Sequence, residues 1–129
     1  MLPMRIRWIV APLAALAAGC VALPENASFL YGDRYHVAKL NTYPTRVSAV
    51  DGRSAMLNQN PVPIEPGEHV ITLVARPVAG FRLPETREIR ITVEPCKHYY
   101  FVAERDNRLE QRWRPVIDHV GDRGGPGCN

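Results

Sequence analysis

Residues 87–104 read REIRITVEPCKHYYFVAE, and this stretch decides the class of fold. Over residues 87–94 the β-branched side chains alternate with polar ones, which predicts a strand with one buried and one exposed face. The proline of the EPCK sequence suits the second position of a tight turn, because its φ is fixed near the required value. Apolar side chains on both faces of residues 98–104 predict a returning strand that is covered on both sides.

Further strands are predicted outward from this hairpin. They are residues 35–40, the weakest of the set, then 45–50, 69–75 and 113–120. Pro115 cannot donate to a ladder, which favours an edge position for the last strand, and proline-spaced residues 60–64 favour an extended sheet rim. Beyond the N-terminal segment no window of 11 or more residues has helical spacing. The pattern predicts an all-β chain that forms a single antiparallel β-sandwich, Ig-like, with six or seven short strands over residues 31–120.

The N-terminal segment has the three-part order of a bacterial export signal. Arg5 and Arg7 precede an uncharged run over residues 8–18, which is too short to span a bilayer. The LAAGC sequence that ends at Cys20 resembles the lipobox of bacterial lipoproteins. This resemblance implies a signal peptide over residues 1–19, a lipid on Cys20 and a tether over residues 20–30. The alternative is an ordinary signal cut near residue 17 or 18, which would release a soluble protein.

The resemblance to Gram-negative lipoproteins also bears on location. In those proteins an aspartate after the lipidated cysteine is the usual signal for inner-membrane retention, and here Val21 occupies that position. The resemblance therefore implies that the lipid anchors the protein to the outer membrane, which is its membrane partner. It also implies that the domain faces the periplasm.

Three cysteines are an awkward number for an exported chain. If Cys20 carries lipid, Cys96 and Cys128 remain as one pair in an oxidising compartment. Their bridge would tie a glycine-rich tail, residues 121–129, back to the domain. The alternatives are two free thiols, or a bridge from Cys128 to another chain.

The charge balance argues against a nucleic-acid partner. The chain has 16 Lys and Arg against 13 Asp and Glu, and two of the arginines belong to the signal segment, so the net charge falls from +3 to +1 beyond it. Four arginines between residues 105 and 114 are interleaved with acids. This pattern predicts a solvated face of mixed charge rather than a phosphate-binding stripe.

Four stretches together resemble the PEGA-type β-sandwich modules of bacterial envelope proteins. They are RVSAVDG at 46–52, IEPGEHVITL at 64–73, and the strands at 89–93 and 99–103. In those modules one strand ends at Asp-Gly and a Pro-Gly-x-His turn launches the next. The resemblance, over about residues 45–105, implies a non-enzymatic module displayed at the cell envelope for cell-wall or protein contact.

Residues that could carry chemistry are scattered. Ser28, Ser48 and Ser54 lie in no Gly-x-Ser-x-Gly context, so neither an enzyme nor a cofactor is predicted. Histidines on or beside predicted strands leave open a rival function, a periplasmic metal- or small-ligand-binding protein that would use His69 and His98. The histidines in question are His36, His69, His98 and His119.

The leading functional hypothesis is an interaction or accessory module that contacts another envelope protein or peptidoglycan. Tyrosines and one tryptophan could form its contact patch or fill the sandwich core, and core is the better expectation for most of them. The best single candidate for a contact surface is the edge formed by Arg112, Trp113 and Arg114, because a sandwich edge can accept a partner strand.

Overall fold

The computed structural model describes residues 23–33, 35, 38–56, 59–76 and 84–129, and within them the regular structure is entirely β. The strands are β1 Ser28–Tyr31, β2 Thr42–Val50, β3 Arg53–Ser54, β4 Val62–Ile64, β5 Gly67–Ala75, β6 Glu85–Val93, β7 Lys97–Glu104 and β8 Arg114–Asp122. This confirms the predicted all-β fold, with eight strands in place of six or seven.

The eight strands form one connected sheet that folds into two layers. Strand β2 joins them, because residues 42–44 pair with β7 whereas residues 45–50 pair with β5. The front layer comprises β4, β1, β7 and β8, and the back layer comprises β3, most of β2, β5 and β6. A break in register between Val47 and Ala49 lies on the part of β2 that enters the back layer. Such irregularities bend a strand, which allows one strand to serve both layers.

The core lies between the layers and follows from the alternation of side chains along the strands. It takes every second residue of β5 and of β7, together with residues of the other strands and one tryptophan that precedes β8. Its members are Leu30, Val47, Val62, Ile64, Ile71, Leu73, Ala75, Ile91, Val93, Tyr99, Phe101, Ala103 and Trp113.

The two predicted strands and the turn between them are present as β6 and β7, but they do not form a hairpin. Strand β6 pairs with β5 in the back layer and β7 lies in the front layer, so the turn crosses from one layer to the other. Strand β6 alternates between inner and exposed positions, and β7 is covered on both sides, since Phe101 and Val102 point to opposite faces and are both buried. Strand β8 pairs only with β7 among the described residues, which agrees with the predicted edge. Residues 62–64 form the rim strand β4, paired with β1.

Strand β1 corrects two expectations. Residues 28–30 were expected in the tether, yet β1 lies between β4 and β7 in the front layer, so the folded domain begins before residue 31. The pairing of β1 with β7 is parallel, so the sheet is mixed rather than purely antiparallel. Local pattern could not reveal this, because β1 is held by distant groups: Ser28 Oγ donates to the Glu94 carbonyl at 2.6 Å and accepts from the Lys97 N–H at 2.9 Å.

Two boundaries also differ from the prediction. Of residues 35–40, the described ones, 35 and 38–40, are not in a strand. Instead, the N–H of Tyr35 donates to Asp118 on β8, so this segment lies against the front layer. Strand β8 continues to Asp122, which leaves residues 123–129 as the tail.

The predicted signal peptide, Cys20 and His36 lie outside the described residues. Within the described part of the chain, no helix is long and apolar enough to cross a bilayer.

Candidate functional site

The outer face of the front layer carries a cluster of six aromatic and imidazole rings, which we call the aromatic face. Strand pairing brings them together, because Phe29 lies opposite His98 across β1 and β7, and Tyr100 lies opposite His119 across β7 and β8. These positions alternate with core residues such as Leu30 and Tyr99, and therefore point away from the core. The members are Phe29, Tyr31, Tyr35, His98, Tyr100 and His119.

The rings of the aromatic face contact one another in a continuous series. Tyr31 stacks on Tyr100 with centroids 4.5 Å apart and planes 10° apart, and Tyr35 stacks on His119 at 3.7 Å and 10°. Tyr35 also meets Tyr100 edge-on at 5.1 Å. Five of the six rings are half-buried and Tyr35 is 40% exposed, so the face is neither core nor freely mobile surface.

Charged groups stand at the two ends of the aromatic face. The Arg123 guanidinium lies 5.4 Å from the centroid of the Phe29 ring, within range of a cation–π interaction. At the opposite end, Asp118 accepts the Tyr35 N–H at 3.0 Å and pairs with Lys39 Nζ at 3.1 Å. Burial raises the pKa of Asp118, but these two partners together outweigh it, so the net direction is downward and the carboxylate stays ionised.

Two rings of the aromatic face, those of Tyr100 and His98, favour their neutral forms. Burial, with the neighbouring Tyr31 and Tyr35 phenols, raises the pKa of Tyr100. Burial, and then the positive charge of Arg123, lowers the pKa of His98, which favours its neutral form. The arrangement offers phenol hydroxyls, neutral imidazole and aromatic edges, a chemistry suited to holding a partner rather than to bond cleavage.

The two layers differ in what their outer faces present. On the back layer the outward positions of β6 are ordinary exposed polar residues, namely Thr86, Glu88, Arg90 and Thr92. The outer face of an antiparallel layer is normally polar in this way. The aromatic outer face of the front layer departs from that rule, which makes it the candidate contact surface.

The structure places only part of the edge predicted from Arg112, Trp113 and Arg114 at the surface. Trp113 is only 3% exposed and belongs to the core, because it fills the end of the sandwich before β8 begins. Arg114 pairs with Glu104 at 2.8 Å and with Asp106 at 3.1 Å. Arg112 is exposed, and all three residues border a cleft of about 270 Å³.

The structure does not bring His69 and His98 together. His69 lies on β5 in the back layer, with Nδ1 2.5 Å from Asp51 Oδ2 and Nε2 2.9 Å from the Glu65 carbonyl, whereas His98 lies on the aromatic face. Across the described ranges, no group of three His, Cys, Asp or Glu side chains is arranged to hold a metal ion. His69 thus ties the Asp-Gly turn to the chain before β5, and it has no free nitrogen for a ligand.

The turn that His69 anchors makes stability depend on pH. The pKa of Asp51 is lowered first by the N–H of Val70, whose bond to Oδ1 is 2.8 Å long, and then by His69. A lowered pKa contributes stability above the ordinary value near 4 and loses it as pH falls through the folded value. We expect the urea midpoint of the wild-type protein to fall more steeply below about pH 4 than that of Asp51→Asn.

The asparagine variant is informative because it keeps an acceptor for Val70 but carries no charge. Glu65→Gln is the matched control, since Glu65 is exposed and its carboxylate has no ion-pair partner in the described part of the chain. It should keep the wild-type acid dependence. Equal slopes for Asp51→Asn and the wild type would contradict this account of the turn.

The predicted bridge between Cys96 and Cys128 is present, with Cα atoms 5.5 Å apart. It joins the tail to the turn between β6 and β7, where the Cys96 carbonyl also accepts the Arg123 N–H at 2.8 Å and the Cys96 N–H donates to Asn26. The bridge therefore holds Arg123 beside the Phe29 end of the aromatic face.

Arg105 was missed by sequence reasoning, which assigned it to a solvated face of mixed charge. It is 2% exposed, and its guanidinium donates to the carbonyls of Arg76, Glu110 and Gln111 at 2.7–2.9 Å. One signal could have identified it, because position 105 continues the inward alternation of β7 beyond Ala103. The acidic neighbours on either side concealed that signal.

Comparison with known proteins adds no family to these observations. No protein-family model, curated protein or solved structure matches the chain. The resemblance of residues 45–105 to PEGA-type modules stays a prediction, and the functional argument depends on the residues themselves.

Proposed function

We propose that this protein is a small outer-membrane lipoprotein whose β-sandwich is a non-catalytic interaction module. Lipid on Cys20 would anchor it, with the domain facing the periplasm and the aromatic face as its contact surface for another envelope protein. The observation that carries the proposal is the contrast between the aromatic outer face of the front layer and the polar outward positions of β6 on the back layer.

The distance from the proposed anchor to the domain is short. Strand β1 begins at Ser28, eight residues after Cys20, and an extended chain of that length spans at most about 28 Å. A lipid on Cys20 would keep the sandwich close to the membrane surface. The partner would then be another protein at that membrane, or one that reaches close to it.

A protein partner suits the geometry better than a glycan. Tyr31 and Tyr100 stack on each other, as do Tyr35 and His119, so a broad face of each ring is already used within the protein. Sugar rings bind best on broad, free ring faces, whereas protein side chains pack well against ring edges and bond to phenol hydroxyls. The proposed partner is therefore a protein, and the crosslinking experiment would reveal peptidoglycan if it were bound instead.

A non-catalytic role is supported by the engagement of the polar side chains considered for chemistry. Ser28 is bonded to the β6–β7 turn, Ser48 Oγ donates to the Thr72 carbonyl at 3.2 Å, and both nitrogens of His69 are bonded. Each of these groups stabilises the fold, and none has the adjacent base that an activated nucleophile needs.

In-cell crosslinking tests the contact surface. A photoreactive residue at position 35, the most exposed ring of the aromatic face, should capture one envelope protein reproducibly, whereas the same residue at position 46, an exposed outward position of β2 on the back layer, should not. Tyr35→Ala should lower co-purification of the captured protein at least tenfold, as expected for an aromatic anchor, and Arg46→Ala should not. Identical capture at both positions, or peptidoglycan fragments alone at position 35, would refute a protein partner at this face.

A further inference from the structure

Strand β6 is a long and regular edge strand. It pairs with β5 over nine consecutive residue pairs without a bulge, and no other strand in the described ranges pairs with it. It contains no proline. An edge of this length and regularity presents a row of backbone donors and acceptors to any complementary strand.

The other edges of the sandwich are protected. Strand β4 has only three residues and contains Pro63, and β3 has only two residues. Strand β8 contains Pro115, and its pairing with β7 is irregular near Tyr100. Short length, proline and bulges are three devices by which proteins block edge pairing, and β6 lacks all three. It does carry charged side chains, a fourth device, so any partner strand must match those charges.

We propose that a second copy of this chain pairs with β6, antiparallel and edge to edge, about a two-fold axis at Ile89. In that register Glu88 lies opposite Arg90 of the partner copy, and Arg90 lies opposite its Glu88, so the interface contains two ion pairs. Thr86 of each copy likewise lies opposite Thr92 of the other copy. The outward face of the strand is thus complementary to itself, as the isologous interface of a symmetric dimer requires, while on the inner side Arg87 lies opposite Ile91 of the partner copy.

Neighbouring registers are excluded by the same residues. If the axis moved by one residue, Glu88 would lie opposite Glu88 of the partner copy, or Arg90 would lie opposite Arg90 of the partner copy. Like charges directly opposite each other are destabilising. An axis between two residues would oppose an outward side chain with an inward one, which regular antiparallel pairing does not allow.

Two further observations fit this register. One concerns the charged side chains and the other concerns Ile89. Glu88 has no ion-pair partner in the described part of the chain, and Arg90 already pairs with Glu68 at 3.0 Å while keeping donors for a second carboxylate. On the inner side Ile89 is half-buried, in contrast to Ile91 at 8% and Val93 at 2% exposed. Pairing would place the two Ile89 side chains together and cover both. None of these residues belongs to the aromatic face, so the dimer would leave both copies of that face open.

Cysteine crosslinking tests the register in the full chain. Differently tagged copies with Thr86→Cys and Thr92→Cys, two exposed positions, are produced in the same cells and treated with a short thiol-specific crosslinker. We expect a covalent dimer when the two variants are combined and none from either variant alone. The unsubstituted chain controls for linkage through native cysteines. Failure of the mixture to link, or equal linkage by each variant alone, would refute the register.

Charge exchange tests the ion pairs. Glu88→Arg added to both tagged copies should lower the yield of linked dimer about tenfold, because two attractive pairs become repulsive. Glu88→Arg in one copy and Arg90→Glu in the other should restore it. Both positions are exposed, so circular dichroism should show an unchanged fold. Undiminished linkage with Glu88→Arg in both copies would exclude pairing about Ile89, whatever the result at the aromatic face.

Discussion

Replacement of Arg105 by methionine is expected to lower the free energy of unfolding by about 3–5 kcal/mol. Methionine keeps much of the apolar stem but has no donors. The carbonyls of Arg76, Glu110 and Gln111 would lose their partner, and each buried acceptor left unsatisfied costs about 1–3 kcal/mol. The expected loss lies in the lower part of the sum of these three costs. The three residues are partly exposed, so water can bond to some of the carbonyls that Arg105 leaves.

The effect is large because Arg105 joins segments that are distant in the sequence. It connects the end of β5, the loop before β8 and, through its guanidinium 5.2 Å from the ring centroid, Tyr43 on β2. Arg105→Lys should recover little of the loss, since one ammonium on a flexible stem cannot reproduce the fixed fork of donors that bonds to both segments.

Urea unfolding followed by circular dichroism measures this change. The matched control is Arg108→Met in the same loop, which is exposed and should stay within about 0.5 kcal/mol of the wild type. A loss below about 1 kcal/mol for Arg105→Met would show that the buried guanidinium does not hold the loop.

The double variant Cys96→Ser, Cys128→Ser is expected to lose about 3–4 kcal/mol of unfolding free energy. The two cysteines are 32 positions apart, and their bridge restricts the unfolded chain over that loop. Serine retains a similar volume, so the loss of the covalent link dominates the change. The hydrogen bond from the Arg123 N–H to residue 96 would remain available to the tail, which makes the folded state itself little changed.

The same unfolding measurement applies, with the wild type under reducing conditions as the control. Reduction should lower its urea midpoint to that of the double variant and should leave the variant unaffected. Intact mass under non-reducing conditions checks that the wild type carries the bridge. A wild type that is no more stable than the variant would contradict a stabilising role for the disulfide.

Local periodicity predicted much of the fold. Strands β5, β6 and β7 were found because their side chains alternate over eight or nine residues, and β8 was placed at an edge by Pro115. Such patterns record which face of a strand is buried, which depends only on neighbouring residues. Strand β1 was missed because four residues contain too few alternations, and its parallel pairing depends on a strand about 70 residues away.

The candidate site was predictable in its residue types but not in its location. The tyrosines and Trp113 were predicted either as contact residues or as core, with core expected for most. Trp113 and Tyr99 are in the core, whereas Tyr31, Tyr35 and Tyr100 stand on the outer face. An aromatic residue satisfies either environment, so its chemistry alone does not choose between them.

By itself the sequence predicted the all-β class, strands β6 and β7 with the turn between them, and the pairing of the two cysteines in the domain. These depend on alternation, proline and cysteine chemistry, which are written locally along the chain. Only the tertiary structure decided that Arg105 and Trp113 are buried, that six rings share one outer face, that β6 and β7 lie in different layers, and that β6 pairs on one side only among the described residues. Those features arise when strands distant in sequence become neighbours, and register and layer packing then decide which side chains meet water.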